Sequence, residues 1–392
     1  MAFHHMVVGE RGVAEWSVRQ HPAGAGANPG KAPFQAHCGL VLPDPTVQSL
    51  GRYDRSFPPM PGRCGRARPC WRNACPATAP DAGRRAGQAG MSAQEPVDGP
   101  LVAGIELGGT KCIATLARGR TILRQQRWPT GTPDTLDLMS GMLAAWARES
   151  PFAAIGIASF GPLHLDPTKP GFGHMGNTPK PGWAGVDIHG HFARRFAVPI
   201  GIDTDVAGAA LAEGRWGASV SCGVHGYATI GTGVGLGLVV DGRPVHGRLH
   251  PEAGHMRIRR QAGDDFAGGC PSHGDCLEGL VSGPGLIARA PRPLAQVADD
   301  DPLWERVAID LAEWTAMLIL ALSPERLVLG GGVIQSRRAL LPRIRAHALG
   351  LLGGYLDDLD ADAMAALLVP PALGADAGPL GAIVLGIDAA GL

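Results

Sequence analysis

The sequence predicts an α/β protein in which two similar domains face each other across a cleft. Its 392 residues are enough for about two domains. A strand, a glycine-rich turn and a return strand occur twice, about 120 residues apart, which is the pattern of a duplicated domain. With 45% hydrophobic and 18% charged residues, the composition is typical of a globular protein and not of a wholly disordered one.

Charge and cysteine content exclude several classes of protein. No apolar run reaches roughly 18 residues, so we expect no membrane span. Lys and Arg total 35, as do Asp and Glu, so the net charge of the whole chain is zero. A net charge of zero gives no indication of binding to nucleic acid or to a membrane. Eight cysteines are too few for a disulfide scaffold. They fit a reducing compartment and one metal site better, and we expect a cytoplasmic protein.

Residues 1–90 differ from the remainder in composition. They contain no Ile, only 12 Val, Leu and Phe, and 11 basic against 5 acidic side chains, a net charge of +6. This segment has too few apolar side chains to form a hydrophobic core. We expect a disordered extension, or upstream sequence read from a start codon placed too early, with Met91 as the ordinary start. A folded zinc-binding piece is the third alternative.

The first strand–glycine–strand unit begins near residue 101. Residues 101–106 predict a buried strand, residues 107–111 (LGGTK) a tight turn, and residues 112–117 the return strand. A third strand is expected near residues 121–126. Gly108 and Gly109 would let backbone N–H groups approach phosphate oxygens without hindrance from a Cβ.

The second unit repeats this plan, with strands at 227–230 and 235–240 around a turn at 231–233 (GTG). Thr110 and Thr232 add hydroxyl donors to the two turns, and Lys111 adds a positive charge. Neither turn has the spacing of a P-loop. An ordinary hairpin turn is the alternative for each one separately, and their matching contexts favour a phosphate site.

Asp205 lies where a predicted strand at 198–203 meets a predicted helix at 206–213. One interpretation is structural, since an aspartate directly before a helix is a good N-cap. The other is a carboxylate that accepts a proton from a substrate hydroxyl, as phosphoryl transfer requires.

A metal-ligand cluster is the most specific local pattern. Cys270, His273 and Cys276 are separated by two residues each, and His255 lies 15 residues upstream. Two thiolates and two imidazoles suit Zn²⁺ in a closed structural site, with a metal-free loop as the alternative. The flanking Glu252 and Glu278 are candidates for holding sugar hydroxyls through charge-assisted hydrogen bonds.

Together these motifs resemble the ROK family (repressor, open reading frame, kinase), and most closely its bacterial fructokinase branch. The resemblance covers the chain from about residue 101 to the C-terminus. It is carried by residues 104–111 (GIELGGTK), 158–162 (ASFGP), 177–183 (NTPKPGW), 203–213 (DTDVAGAALAE), 229–237 (TIGTGVGLG), 250–255 (HPEAGH), 266–283 (FAGGCPSHGDCLEGLVSG), 322–333 (LSPERLVLGGGV) and 369–374 (VPPALG).

The resemblance implies an actin-like ATPase (ribonuclease H-like) fold, with a zinc-stabilised loop in the second domain. It also implies transfer of the ATP γ-phosphate to a sugar hydroxyl. The implied boundaries are 91–207 and 208–375 for the two domains, and 376–392 for a C-terminal helix that packs back on the first.

The resemblance also implies site roles, with Asp205 as the general base. The phosphate loops would be Gly108, Gly109, Thr110 and Lys111, and Gly231, Thr232 and Gly233. The nucleoside would lie beside Gly331 and Gly332. The sugar would bind near Asn177, Thr178, Glu252, His255 and Glu278. The zinc ligands would be His255, Cys270, His273 and Cys276. Glu106, where many members have Asp, is a candidate for holding Mg²⁺ through water.

Three further expectations concern ligands and partners. The cofactors would be ATP, Mg²⁺ and structural Zn²⁺. The substrate would be a hexose, with fructose favoured and glucose, mannose or an N-acetylhexosamine as alternatives. We expect a homodimer with no nucleic-acid or membrane partner. A transcriptional repressor with a DNA-binding domain in residues 1–90 is an alternative from another class, as is a non-enzymatic zinc-stabilised binding module.

Overall fold

The computed structural model describes residues 99–392 and, near the start of the chain, the backbone of two short paired strands, β1 (Met6–Val8) and β2 (Ala14–Trp16). The expectations for residues 1–90, including the alternative of a DNA-binding domain, fall on residues that are otherwise outside this description.

The first sheet is built around the first glycine turn, residues 108–110. Its strands in chain order are β3 (Leu101–Leu107), β4 (Lys111–Arg118), β5 (Thr121–Pro129), β6 (Ala154–Ser159) and β7 (Ile200–Thr204). Across the sheet their order is β5-β4-β3-β6-β7, and β6 runs parallel to both neighbours. β5 is longer than predicted because it stays paired with β4 as far as Pro129.

The second sheet surrounds the second glycine turn, residues 231–233. Its strands are β8 (Val224–Ile230), β9 (Val234–Val240), β10 (Arg243–Pro244), β11 (Arg326–Gly330) and β12 (Leu368–Val369). The order β10-β9-β8-β11-β12 repeats that of the first sheet, with an antiparallel hairpin followed by two parallel strands. The predicted duplication is confirmed.

Ten helices lie among the described residues. They are α1 (Thr135–Glu149), α2 (Ile188–Ala193), α3 (Asp205–Trp216), α4 (Leu277–Val281), α5 (Gly283–Arg289), α6 (Pro302–Leu322), α7 (Gly332–Ser336), α8 (Leu340–Leu352), α9 (Ala361–Leu367) and α10 (Ala377–Ala390). None of these helices is both long and apolar enough to cross a membrane.

Helices α3 and α10 pack against each other, and each covers a different sheet. α10 lies on β3, β6 and β7, whereas α3 lies on β8 and β9. Their contact depends on two glycines, since a Cβ at Gly381 would lie 2.3 Å from the carbonyl carbon of Gly208. The residue that begins α3, Asp205, is thereby held between the two sheets.

Candidate functional site

The two glycine turns meet at one place in the structure. In each turn a backbone N–H closes a short loop, from Gly108 to the carbonyl of Lys111 and from Gly231 to that of Gly233, both at 2.9 Å. A Cβ added at Gly109 would lie 3.0 Å from the Cβ of Thr232, so only glycine fits there without displacement. Two turns 120 or so residues apart thus present their backbones to a common point.

Gly331 and Gly332 border the second turn. Gly331 has φ +88°, in the region that favours glycine. A Cβ at this position would lie 2.3 Å from the carbonyl oxygen of Ile230, the last residue of β8. The strand-to-helix turn from β11 to α7 therefore packs directly on the strand that enters the second glycine turn.

Asp205 is the first residue of α3, and its neighbour Thr204 is the N-cap. The Thr204 hydroxyl oxygen accepts a hydrogen bond from the N–H of Ala207 at 3.1 Å. The structural interpretation of Asp205 as the N-cap is therefore wrong. Asp205 Oδ1 accepts from the N–H of Val206 at 2.9 Å, while burial raises the pKa of Asp205 to about 6.

Glu106, on β3, is a second carboxylate near Asp205. Burial raises its pKa to about 7, the charge of Lys111 opposes this rise, and the charge of Asp205 adds to it. Its Oε2 atom is buried without a hydrogen-bond partner among the described residues. A desolvated carboxylate oxygen without a donor fits a hard cation such as Mg²⁺.

The four predicted metal ligands come together. Their ligand atoms all lie within 4.8 Å of one another. His255 Nδ1 is 3.7 Å from Cys270 Sγ and 3.6 Å from Cys276 Sγ, and His273 Nδ1 is 3.7 Å from Cys270 Sγ. Tetrahedral Zn²⁺ bonds of about 2.0–2.3 Å place ligand atoms roughly 3.3–3.8 Å apart, so this set fits Zn²⁺.

Glu252 and Glu278 flank this cluster. Glu252 Oε2 lies 4.0 Å from His255 Nε2, and its side chain keeps 39% exposure. Partial desolvation, with the charges of Glu278 and Asp205, raises the pKa of Glu252 to about 7. Glu278 Oε2 accepts a hydrogen bond from the N–H of Val234 at 3.0 Å, which ties Glu278 to the second glycine turn.

Asn177 and Thr178 lie on the segment after β6, where Asn177 is exposed and Thr178 is buried. The preceding residue, Gly176, donates to the carbonyl of Pro162 at 2.6 Å. The adjacent Gly161 approaches Glu252, since its Cβ would lie 3.5 Å from Glu252 Oε1. Within residues 99–392, no hydrogen bond joins Asn177 or Thr178 to Glu252 or Glu278.

Sequence reasoning missed three residues at this site. His250, two residues before Glu252, accepts a hydrogen bond from the N–H of Leu163. Lys180 donates to the carbonyl of Gly109, and Glu213 accepts from three backbone N–H groups. All three side chains lie in quoted motifs, HPEAGH, NTPKPGW and DTDVAGAALAE, but most of their partners are far away in sequence.

The two sheets have the same strand order, and a helix covers each of them. Together with glycine turns that meet near half-buried carboxylates, they define an actin-like ATPase fold of the sugar-kinase type. The ROK family model matches residues 102–389, and the chain belongs to the ROK family.

Three similar proteins support this assignment. The chain is 40% identical to a fructokinase of Zymomonas mobilis, over 73% of this chain and 96% of that protein. It is 37% identical to a fructokinase of Pediococcus pentosaceus, over 73% and 97%. Among solved structures, the ROK hexokinase of Thermus thermophilus matches with a TM-score of 0.59 at 26% identity, over 73% and 97% of the two chains.

Proposed function

We propose that the protein is an ATP-dependent hexose kinase with fructose as its preferred substrate. The observation that carries this proposal is the meeting of the two glycine turns, Gly109 against Thr232, beside the half-buried Asp205. The similarity to two fructokinases at 37–40% identity favours fructose over glucose, mannose or an N-acetylhexosamine.

The glycine turns would bind the phosphates of ATP. The N–H groups of Gly108 and Gly231 are used inside the two turns, so those of Gly109 and Gly233 would approach the phosphate oxygens. The side chains of Thr110, Thr232 and Lys111 would supply hydroxyl donors and a positive charge. Gly331 and Gly332, which lie beside the second turn, would border the nucleoside.

Asp205 would be the general base. With a pKa of about 6, its carboxylate is largely ionised near pH 7 and can still accept a proton. The sugar hydroxyl oxygen would bond to the γ-phosphorus while the bond from that phosphorus to the β,γ-bridging oxygen breaks. The hydroxyl proton would pass to Asp205, and ADP would leave.

The sugar would lie between the metal cluster and the first domain, held by Glu252, His255 and Glu278 with Asn177 and Thr178 nearby. His255, Cys270, His273 and Cys276 would hold Zn²⁺ as a structural ion. Glu106 would hold Mg²⁺, which when bound neutralises phosphate charge.

A coupled assay of ADP release by the full chain tests this function. Purified protein with Mg-ATP is assayed against fructose, glucose, mannose and N-acetylmannosamine. We expect a kcat/KM for fructose at least about tenfold above the others, since one well-placed hydroxyl contact is worth about that factor. Release of ADP without phosphorylated sugar would refute the kinase proposal, and another preferred hexose would refute fructose.

The predicted homodimer and the boundaries 91–207, 208–375 and 376–392 remain proposals. Light scattering on the purified full chain would give the mass of the assembly. A monomer at the concentrations of the kinase assay would refute the dimer.

A further inference from the structure

Lys180 occupies an unusual position beside the first glycine turn. Its Nζ atom donates a hydrogen bond to the carbonyl oxygen of Gly109 at 2.5 Å. The same Nζ atom lies over the ring of Phe160, 5.0 Å from the ring centroid. Gly109 is the residue that meets Thr232 of the second turn, so the ammonium group lies where the two turns come together.

The surroundings of Lys180 hold it in this place. Phe160 packs edge-on against Trp183 with ring centroids 5.2 Å apart, and both rings are buried. Trp183 Nε1 donates to the carbonyl of Gly131 at 2.8 Å, just beyond the end of β5. The packed pair of Phe160 and Trp183 therefore forms a rigid surface next to the ammonium group of Lys180.

The charge of Lys180 lacks a carboxylate partner within residues 99–392. By contrast, Lys169 pairs with Asp166 at 3.0 Å on the surface. A lysine ammonium has three N–H donors, and the Gly109 carbonyl occupies one of them. A half-buried cation with two spare donors and no protein anion is poised for an anionic ligand.

We propose that Lys180 is a further catalytic residue, whose ammonium group binds the γ-phosphoryl group of ATP and stabilises the charge it carries during transfer. This inference rests on the proposed kinase function. Lys180 follows Asn177 and Thr178, which we propose to lie near the sugar, and its ammonium group reaches the first glycine turn. The γ-phosphate is the phosphate of ATP nearest the sugar. It is therefore the phosphate that an ammonium group at this position would bind.

No bond to Lys180 forms or breaks in this step. The ammonium keeps its proton and its hydrogen bond to the Gly109 carbonyl, and it donates a spare N–H to a γ-phosphoryl oxygen, while Asp205 takes the sugar proton. A fixed positive donor that acts on developing charge typically contributes 10²–10³-fold to kcat. The charge of Lys180 would thus complement the backbone donors of the two turns.

The test compares Lys180→Met and Lys180→Arg with wild type in the full chain, with Lys169→Met as the matched control. We expect Lys180→Met to lower kcat about 10²–10³-fold. The same variant should bind a non-hydrolysable ATP analogue at least about tenfold more weakly, with ADP affinity within about twofold of wild type. Lys180→Arg should recover much of the loss because it keeps the charge, and Lys169→Met should match wild type.

Selective loss of ATP affinity separates this role from a structural one. A lysine that only orders the turn would weaken ATP and ADP equally, and that result would overturn the inference. An effect confined to the KM for fructose would also overturn it, by placing Lys180 on the sugar. Wild-type protein that phosphorylates no sugar would instead refute the proposed function.

A second measurement needs no variant. Reductive methylation of wild-type lysines, followed by mass spectrometry, reports the accessibility of Lys180. We expect the ATP analogue with Mg²⁺ to protect Lys180 more than ADP with Mg²⁺ does, while Lys169 is labelled equally in both. Equal labelling of Lys180 in the two complexes would overturn the inference even if Lys180→Met failed to fold.

Discussion

The backbone N–H of Leu163 donates a hydrogen bond to Nε2 of His250 at 3.0 Å, across 87 residues of sequence. His250 is buried, and its Nδ1 atom lies 3.5 Å from Glu252 Oε1. This bond connects the loop after β6, in the first half of the molecule, to the segment that carries Glu252 and the metal cluster. The proposed sugar site is therefore closed by a contact between the two halves.

His250→Ala should raise the KM for fructose about tenfold, because the buried N–H of Leu163 would lose its acceptor and Glu252 its neighbour. A tenfold change corresponds to about 1.4 kcal/mol, within the usual cost of an unpaired buried donor. The KM for ATP should stay within about twofold. His347→Ala, which removes an exposed histidine from α8, is the control. Equal changes in both KM values would show that His250 does not act at the sugar site.

Asp205→Asn should lower kcat about 10²–10⁴-fold, the usual scale for loss of a general base. The amide keeps the size of the side chain and an acceptor for the N–H of Val206, so folding should be retained. Steady-state kinetics with fructose and Mg-ATP measure the effect, and thermal unfolding checks the fold. A kcat near that of wild type would remove Asp205 from the proposed mechanism.

The activity should fall in acid as Asp205 takes up a proton. Burial raises the pKa of Asp205 to about 6, so the carboxylate is mostly ionised above that pH and is lost as a base below it. We expect kcat/KM for fructose to fall tenfold per pH unit below about pH 6. An acid limb near pH 4, the usual range of an aspartate, would contradict the role of burial.

Features made by neighbouring residues could be predicted from the sequence. The glycine turns are local, and three of the four metal ligands lie within one short loop, so their spacing carries the information. The repeated unit also predicted a duplicated domain, which the structure shows as two sheets of equal strand order. The N-cap interpretation of Asp205 was wrong because the start of α3 differs by one residue, a precision that sequence patterns lack.

Contacts between distant residues could not be predicted. Lys180 and Gly109 are 71 residues apart, and Glu213 and Leu373 are 160 apart. Each pairing depends on how the sheets and α3 pack together, and one sequence contains no direct signal for that. A lysine after a Pro or a glutamate late in a helix is usually solvated, so neither residue type points to its partner.

Cys276→Ala should release the metal and loosen the sugar site. Cys276 is buried, and its Sγ atom lies 3.6 Å from His255 Nδ1. Loss of this thiolate would leave the metal with three of its four ligands. We expect zinc content to fall from about one to near zero per chain by elemental analysis, with a higher KM for fructose. The control is Cys112→Ala, which removes a buried thiol outside the cluster. Full zinc content in the Cys276 variant would disprove the assignment of this ligand.

Glu213→Gln should lower the free energy of unfolding by about 2–4 kcal/mol. The buried Glu213 carboxylate accepts from the N–H groups of Ala218 at 2.6 Å, Ala372 at 3.2 Å and Leu373 at 3.0 Å. Glutamine offers one acceptor oxygen, so its NH₂ group would face at least one of these donors. Urea unfolding measures the loss, and Glu149→Gln, at an exposed pair with Arg124, is the control.

Glu213→Gln should also affect nucleotide binding more than sugar binding. Residues 372 and 373 follow Pro371, and a Cβ at Gly330 would lie 3.0 Å from the Pro371 ring. Gly330 ends β11 directly before Gly331 and Gly332, the proposed neighbours of the nucleoside. Glu213 therefore fixes this loop to the helix that begins with Asp205. We expect the KM for ATP to rise several-fold while the KM for fructose stays nearly constant, and the reverse pattern would contradict this link.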